Sequence, residues 1–233
     1  MNSIKFCIEK KLKIKTYYLK DKLPSGLFSQ VFTCVKKKCD TKFVMKIEKN
    51  DGTTAAAEER RNLLTALQKC FHPSINQIVD FFETKHYNYA VCEYIENESL
   101  FENLKKGEFD VGLATRIGAQ ITSAVFYLHG CNIVHGDISV HNVILRADNS
   151  PVLIDFGLSR MFNNNFSSQD YLPRNYLEDY VNVGNIIHQM LYRQMCFDSL
   201  VVFNDINEIQ EKIKSCPFFT VSDLTVLKCI DPV

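Results

Sequence analysis

Short apolar runs broken by polar turns fill the chain to about residue 93, and longer stretches with helical periodicity follow. Alternating β-rich runs predict strands over 14–23, 31–35, 43–47, 77–83 and 87–93. The turn at Pro24-Ser25-Gly26 separates the first two, and the turn at Cys39-Asp40 precedes the third. One helix interrupts them at 55–69, with Leu63, Leu64 and Leu67 on one face. Beyond residue 93 the pattern predicts a short helix over 99–104. A clear amphipathic helix follows over 111–129, with Ala114, Ile117, Ile121, Ala124, Val125 and Leu128 forming a core stripe. Two short β-rich runs, 143–145 and 152–154, flank the polar turn Ala147-Asp148-Asn149-Ser150-Pro151. Further helices are expected over 179–191, 205–214 and 221–229. The pattern therefore predicts an α+β chain, strand-rich with one helix up to about residue 93 and mostly helical beyond it.

The 233 residues suffice for a sizeable core, and 46% hydrophobic with 23% charged residues is ordinary for a globular chain. Lys plus Arg equals Asp plus Glu, 27 each, so no global field argues for nucleic acid or an anionic membrane surface. No run is long and apolar enough to span a bilayer, and the N-terminus lacks the apolar core of a signal peptide. Nine scattered cysteines without a C-x-x-C pair read as reduced thiols, which points to the cytosol or nucleus. A monomer without nucleic-acid or membrane partners is expected.

Candidate chemistry concentrates in the stretch HGDISVHNVILRADNSPVLIDFG, from His135 to Gly157. A polar loop carrying His135, Asp137, His141 and Asn142 enters the first β-rich run, and the second run ends on Asp155-Phe156-Gly157. Two acids and an amide thus stand at the ends of a hairpin, where they can converge. Carboxylate and amide oxygens are hard ligands of the kind Mg²⁺ takes beside phosphate oxygens.

This stretch resembles the catalytic core of the protein-kinase superfamily, whose H-R-D-L-x-x-x-N and D-F-G patterns are met at His135, Asp137, Asn142, Asp155, Phe156 and Gly157. The resemblance implies a single two-lobed α+β kinase domain over 1–233, with a five-stranded antiparallel sheet and one helix over 11–93 and a reduced, mostly helical lobe over 94–233. It also implies Mg²⁺-dependent transfer of the ATP γ-phosphoryl group to a protein hydroxyl, with Ser/Thr favoured. It implies that Asp137 accepts the hydroxyl proton and that Asn142 and Asp155 hold the metal. Phe43-Val44-Met45-Lys46-Ile47 resembles the family's V-A-I-K, making Lys46 the holder of the α- and β-phosphates, with Val44 beside it. The window from Pro24 to Val31 matches the phosphate-covering loop only in part: Gly26 is kept, and Phe28 and Val31 fit the aromatic and β-branched positions. From the 55–69 helix, Glu59, with Glu58 second, is expected to pair with Lys46. Cys92 falls at the position beside the adenine pocket, and Glu93 to Ile95 at the hinge that reads the adenine edge. Asp179-Tyr180-Val181-Asn182-Val183-Gly184 resembles D-x-W-S-x-G, whose Asp braces the catalytic loop.

The departures bear on function. Gly136 replaces the family's usual Arg, so switching by phosphorylation at Ser159, Ser167, Ser168 or Tyr171 is not expected. Ser139 stands where most Ser/Thr kinases have Lys, and His141 either supplies part of that charge or hydrogen-bonds the loop. No clean A-P-E follows, which together with the compactness resembles kinases of large DNA viruses. Three other readings stay open: a pseudokinase scaffold, a small-molecule phosphotransferase, and a kinase-shaped decoy of a host kinase.

Overall fold

The computed structural model describes residues 13–25, 29–37, 39–50, 54–107, 109–162 and 174–193. These fall in two compact units, one running to Phe71 and including Asn76–Ile95, the other made of His72–Ile75 and the residues from Glu96 on.

The first unit contains β1 (Lys13–Ile14), β2 (Tyr17–Leu23), β3 (Ser29–Lys36), β4 (Lys42–Lys49), α1 (Thr54–Gln68), β5 (Ile78–Glu83) and β6 (Tyr87–Glu93). The strands form one antiparallel sheet in the order β1-β2-β3-β4-β6-β5. The five expected strands are present. A sixth arises because the 14–23 run breaks at Lys15, whose φ of 55° turns the chain and leaves β1 as a two-residue strand. Strand alternation sorts the side chains into two faces. Phe32, Cys34, Met45, Ile47, Tyr89 and Val91 are buried together with Tyr17 in the core on one face. Opposite residues of an antiparallel pair share a face, so the pairings Val31 with Lys46 and Val44 with Cys92 put these four on the other face. Leu63, Leu64 and Leu67 of α1 are buried, as their spacing predicts.

The second unit contains α2 (Leu100–Lys106), α3 (Val111–Gly130), β7 (Ile133–Val134), β8 (Val143–Leu145), β9 (Pro151–Leu153), β10 (Arg160–Met161) and α4 (Arg174–Tyr192). Ser99 and Asp110 cap α2 and α3, each side chain accepting a backbone N–H of the first turn. The predicted stripe of α3 is wholly buried. Gly118 lies within it because a Cβ there would sit 2.6 Å from Ile187 Cδ1 of α4. α4 begins at Arg174 rather than at the expected 179, since Tyr176 and Leu177 extend the buried face formed by Tyr180 and Val181 one turn earlier. β8 and β9 form the expected hairpin, and β7 pairs with β10.

These are the elements of the two-lobed α+β class. Gly26 and Phe28, the activation-segment positions Ser167, Ser168 and Tyr171, and the helices expected at 205–214 and 221–229 lie outside the described residues. Among the described residues no helix is long and apolar enough to cross a membrane.

Candidate active site

The loop from His135 to Asn142 is built on a buried histidine. His135 is fully buried, its ring 5.0 Å from that of Phe156. Its Nδ1 accepts the backbone N–H of Asp137 at 3.3 Å, and its Nε2 lies 3.2 Å from the Ile154 carbonyl. Both contacts are satisfied by the neutral imidazole with its proton on Nε2. Burial pushes the His135 pKa down, opposed by the charges of Asp179 and Asp137.

A group whose folded pKa is depressed stabilises the fold above its unfolded value of about 6.5, and that contribution is lost as pH falls. The urea midpoint is therefore expected to fall between about pH 7 and pH 5. His72, also depressed by burial, adds to the fall. His135→Gln, less stable at neutral pH, should lose less over this window. An equal fall in both proteins would remove His135 as a source.

Asp179 of α4 braces this loop. Its Oδ2 accepts the His135 backbone N–H, and its Oδ1 that of Gly136, each at 2.9 Å. His129, at the end of α3, places Nε2 2.9 Å from Oδ2 as well. Ser159 is buried, and its hydroxyl donates to the His135 carbonyl at 2.8 Å, so a phosphate there would break a loop contact. Gly136 has φ +77°, and a Cβ on it would meet the Leu158 carbonyl oxygen at 2.8 Å. Gly136→Arg, which introduces the residue that the resemblance implies here, should therefore cost about 2–3 kcal/mol in left-handed strain and crowding, read as a lower denaturant midpoint. An unchanged midpoint would show that Leu158 yields freely.

The loop presents Asp137 and Asn142 together. The Asn142 Nδ2 donates to the Asp137 Oδ2 and to the Asp137 carbonyl, both at 2.8 Å. Asn142 then enters the hairpin: its carbonyl accepts the Ile154 N–H at 2.9 Å, one step beyond the Val143–Leu153 pair. Asp155 follows directly, at the same hairpin end. It is exposed, has φ 65°, and its Oδ1 accepts the Gly157 N–H at 3.0 Å. Asp tolerates this left-handed conformation better than most residues. Among the described residues no three His, Cys, Asp or Glu converge as a metal site. Mg²⁺ takes one or two carboxylates and completes its shell with water and phosphate oxygens. The Asn142 and Asp155 oxygens therefore suit Mg²⁺ in chemistry. His141 packs its ring 4.1 Å from that of Phe101.

In the first unit, Val31, Val44, Lys46 and Cys92 are all partly buried on their shared face. Glu93 is exposed, with its N–H donating to the Gln77 carbonyl at 3.0 Å, and Ile95 is buried. The expected pairing of Lys46 with Glu59 is replaced. Lys46 Nζ lies 3.0 Å from Glu48 Oε1, while Glu58 and Glu59 are exposed on α1. The reason is local: Glu48 stands two residues along β4, so its side chain rises from the same face as Lys46. Sequence reading missed Glu48, and Arg60 with it, whose Nη2 lies 2.9 Å from Glu48 Oε2. The available signal was that i, i+2 spacing of opposite charges on a strand.

Comparison with known proteins bears on these two sets of residues. A family model described as protein kinase domain matches residues 17–218. The chain is 30% identical over 196 residues to the serine/threonine-protein kinase akt-1 of Caenorhabditis elegans, covering 76% of this chain and 36% of that protein. It is 32% identical over 163 residues to the probable serine/threonine-protein kinase KIN1 homolog of Enterocytozoon bieneusi, covering 63% and 27%. Identity to myosin light chain kinase A of Dictyostelium discoideum is 30% over 152 residues, covering 63% and 52%. The matched region spans about a quarter to a half of the length of these relatives. The family match runs through both units, taking in Lys46 and the braced loop alike, and the chain belongs to the protein kinase family.

Proposed function

We propose that the chain is an ATP- and Mg²⁺-dependent protein kinase that phosphorylates serine or threonine hydroxyls of protein substrates, its one kinase domain comprising 11–93 and 94–233. The observation that carries this reading is the Asn142 amide holding the Asp137 carboxylate at 2.8 Å, on the hairpin that also bears Asp155. A binding module has no need of an oriented carboxylate beside a second oxygen donor.

Asp137 orients the substrate hydroxyl and accepts its proton, and Asn142 fixes the Asp137 carboxylate. Lys46 binds the α- and β-phosphates, and Val31, Val44 and Cys92 line the nucleotide's side of the sheet. Gly26 and Phe28 belong to the phosphate-covering loop, and Glu93 and Ile95 to the segment that reads adenine. Asn142 and Asp155 hold Mg²⁺, which neutralises phosphate charge when bound. Positioning and charge neutralisation supply most of the rate in this chemistry. The names of the relatives favour serine/threonine, and the reduced thiols at Cys34, Cys39, Cys70, Cys92 and Cys131 suit a reducing, intracellular compartment.

The test is label transfer from radiolabelled ATP with Mg²⁺ onto the chain itself and a mixed protein substrate. Label in wild type that vanishes in Asp137→Ala supports the reading, and phosphoamino-acid analysis identifies the hydroxyl. Mg²⁺-ATP binding without transfer would establish a scaffold instead.

A further inference from the structure

We propose that Glu48, secured by Arg60, is the carboxylate that positions Lys46, so that the strand supplies the anion and the helix a cation. The inference rests on the kinase reading for Lys46 and names two residues which that reading does not contain. Each oxygen of the Glu48 carboxylate engages a different cation: Oε1 lies 3.0 Å from Lys46 Nζ, and Oε2 lies 2.9 Å from Arg60 Nη2. The three side chains are 16%, 22% and 17% exposed for Lys46, Glu48 and Arg60, so the array is far less solvated than a surface ion pair. Surface pairs contribute little because solvent screens them and both side chains stay mobile. Partial burial reduces the screening, and the planar guanidinium fork of Arg60 fixes its contact with the carboxylate.

The geometry gives each residue a distinct task. Lysine is a compact charge on a flexible stem, and an anchor limits where its ammonium can stand. Glu48 provides that anchor from two residues away on the same strand face. A strand carboxylate also has a flexible stem, and Arg60 removes that freedom from the α1 side. Glu48 and Arg60 are thus positioning residues, Arg60 acting through Glu48. α1 contributes to the phosphate-binding lysine through Arg60, one residue beyond the exposed Glu59.

The experiment measures kcat, the ATP KM and the Mg²⁺-ATP Kd by calorimetry, with thermal melting as a check of folding. It compares wild type, Glu48→Gln, Glu48→Asp, Arg60→Gln, Glu59→Gln and the double variant Glu48→Gln with Arg60→Gln. Glu48→Gln should lower kcat/KM for ATP at least about tenfold and weaken Mg²⁺-ATP binding, since small misplacements of positioning groups carry costs of that order or larger. Glu48→Asp should recover part of the loss. Arg60→Gln should cost less than Glu48→Gln, and the double variant no more than Glu48→Gln alone. Additive losses in the double variant overturn the proposal, as does a larger loss in Glu59→Gln than in Glu48→Gln. If wild type binds Mg²⁺-ATP but transfers no label, the kinase reading fails while the Kd series still decides the positioning role. If wild type does not bind Mg²⁺-ATP, both fail.

Discussion

Replacing Asp137 with alanine is expected to lower turnover at least ~100-fold, about 2.7 kcal/mol of barrier, with little change in stability. The separation of the two effects follows from how the loop is held. Asn142 Nδ2 donates to both the side chain and the backbone carbonyl of Asp137. The alanine variant keeps the second bond, and the Asp137 N–H still meets His135 Nδ1. What disappears is the group proposed to accept the hydroxyl proton, a role worth roughly 10²- to 10⁴-fold in general-base catalysis. Asp155→Asn makes the complementary cut. Its amide oxygen can still accept the Gly157 N–H that Asp155 Oδ1 accepts at 3.0 Å, so the turn persists and the negative charge is lost. A fall of similar size is expected there. Single-turnover phosphotransfer on both variants is the measurement, and near-wild-type turnover in either would sink its assignment.

The parts of the fold that follow from repeated local patterns were legible in the sequence. Alternation along 87–93 and 43–47 located β6 and β4, and the stripe from Ala114 to Leu128 located α3 and its buried face. Elements defined by a distant partner were not. β7 and β10 are two residues each and exist because Ile133 and Val134 pair with Met161 and Arg160. No window of sequence that short carries a period. The start of α4 was legible only in hindsight, since Tyr176 and Leu177 extend a stripe whose register the Asp179 motif sets. The site divides the same way. The sequence placed Asp137, Asn142 and Asp155 on one hairpin because its turn is local. The resemblance places a partner of Lys46 on the helix, while a nearer carboxylate, Glu48, lies two residues away on the strand. His141 illustrates the remaining difficulty: its ring meets Phe101, forty positions earlier, a contact fixed by how α2 meets the loop.

Asp179→Ala is expected to be the most destabilising of these substitutions, at about 3–5 kcal/mol. The carboxylate is 1% exposed and accepts three hydrogen-bonding groups: the N–H groups of His135 and Gly136, and His129 Nε2. Deleting it leaves these groups without their acceptor beneath the catalytic loop, and each buried orphan costs about 1–3 kcal/mol. With total stabilities of about 5–15 kcal/mol for globular domains, the loss would be a large fraction of the whole. For a chain of this size it should appear as a melting temperature lower by about 10 °C. Asp179→Asn separates shape from charge. Its amide has one acceptor oxygen, and its NH₂ group must face one of the donors, so at least half of the alanine loss should remain. Both variants should also lose turnover, because the His135 and Gly136 amides set the backbone from which Asp137 projects. Equilibrium unfolding in urea, followed by fluorescence and circular dichroism, measures the first effect, and phosphotransfer at a temperature where both variants are folded measures the second. A loss below about 1 kcal/mol in the alanine variant would mean that the loop is held by its other contacts, the Ser159 hydroxyl and the His135 ring. Asp179 would then be a buried charge that the fold tolerates.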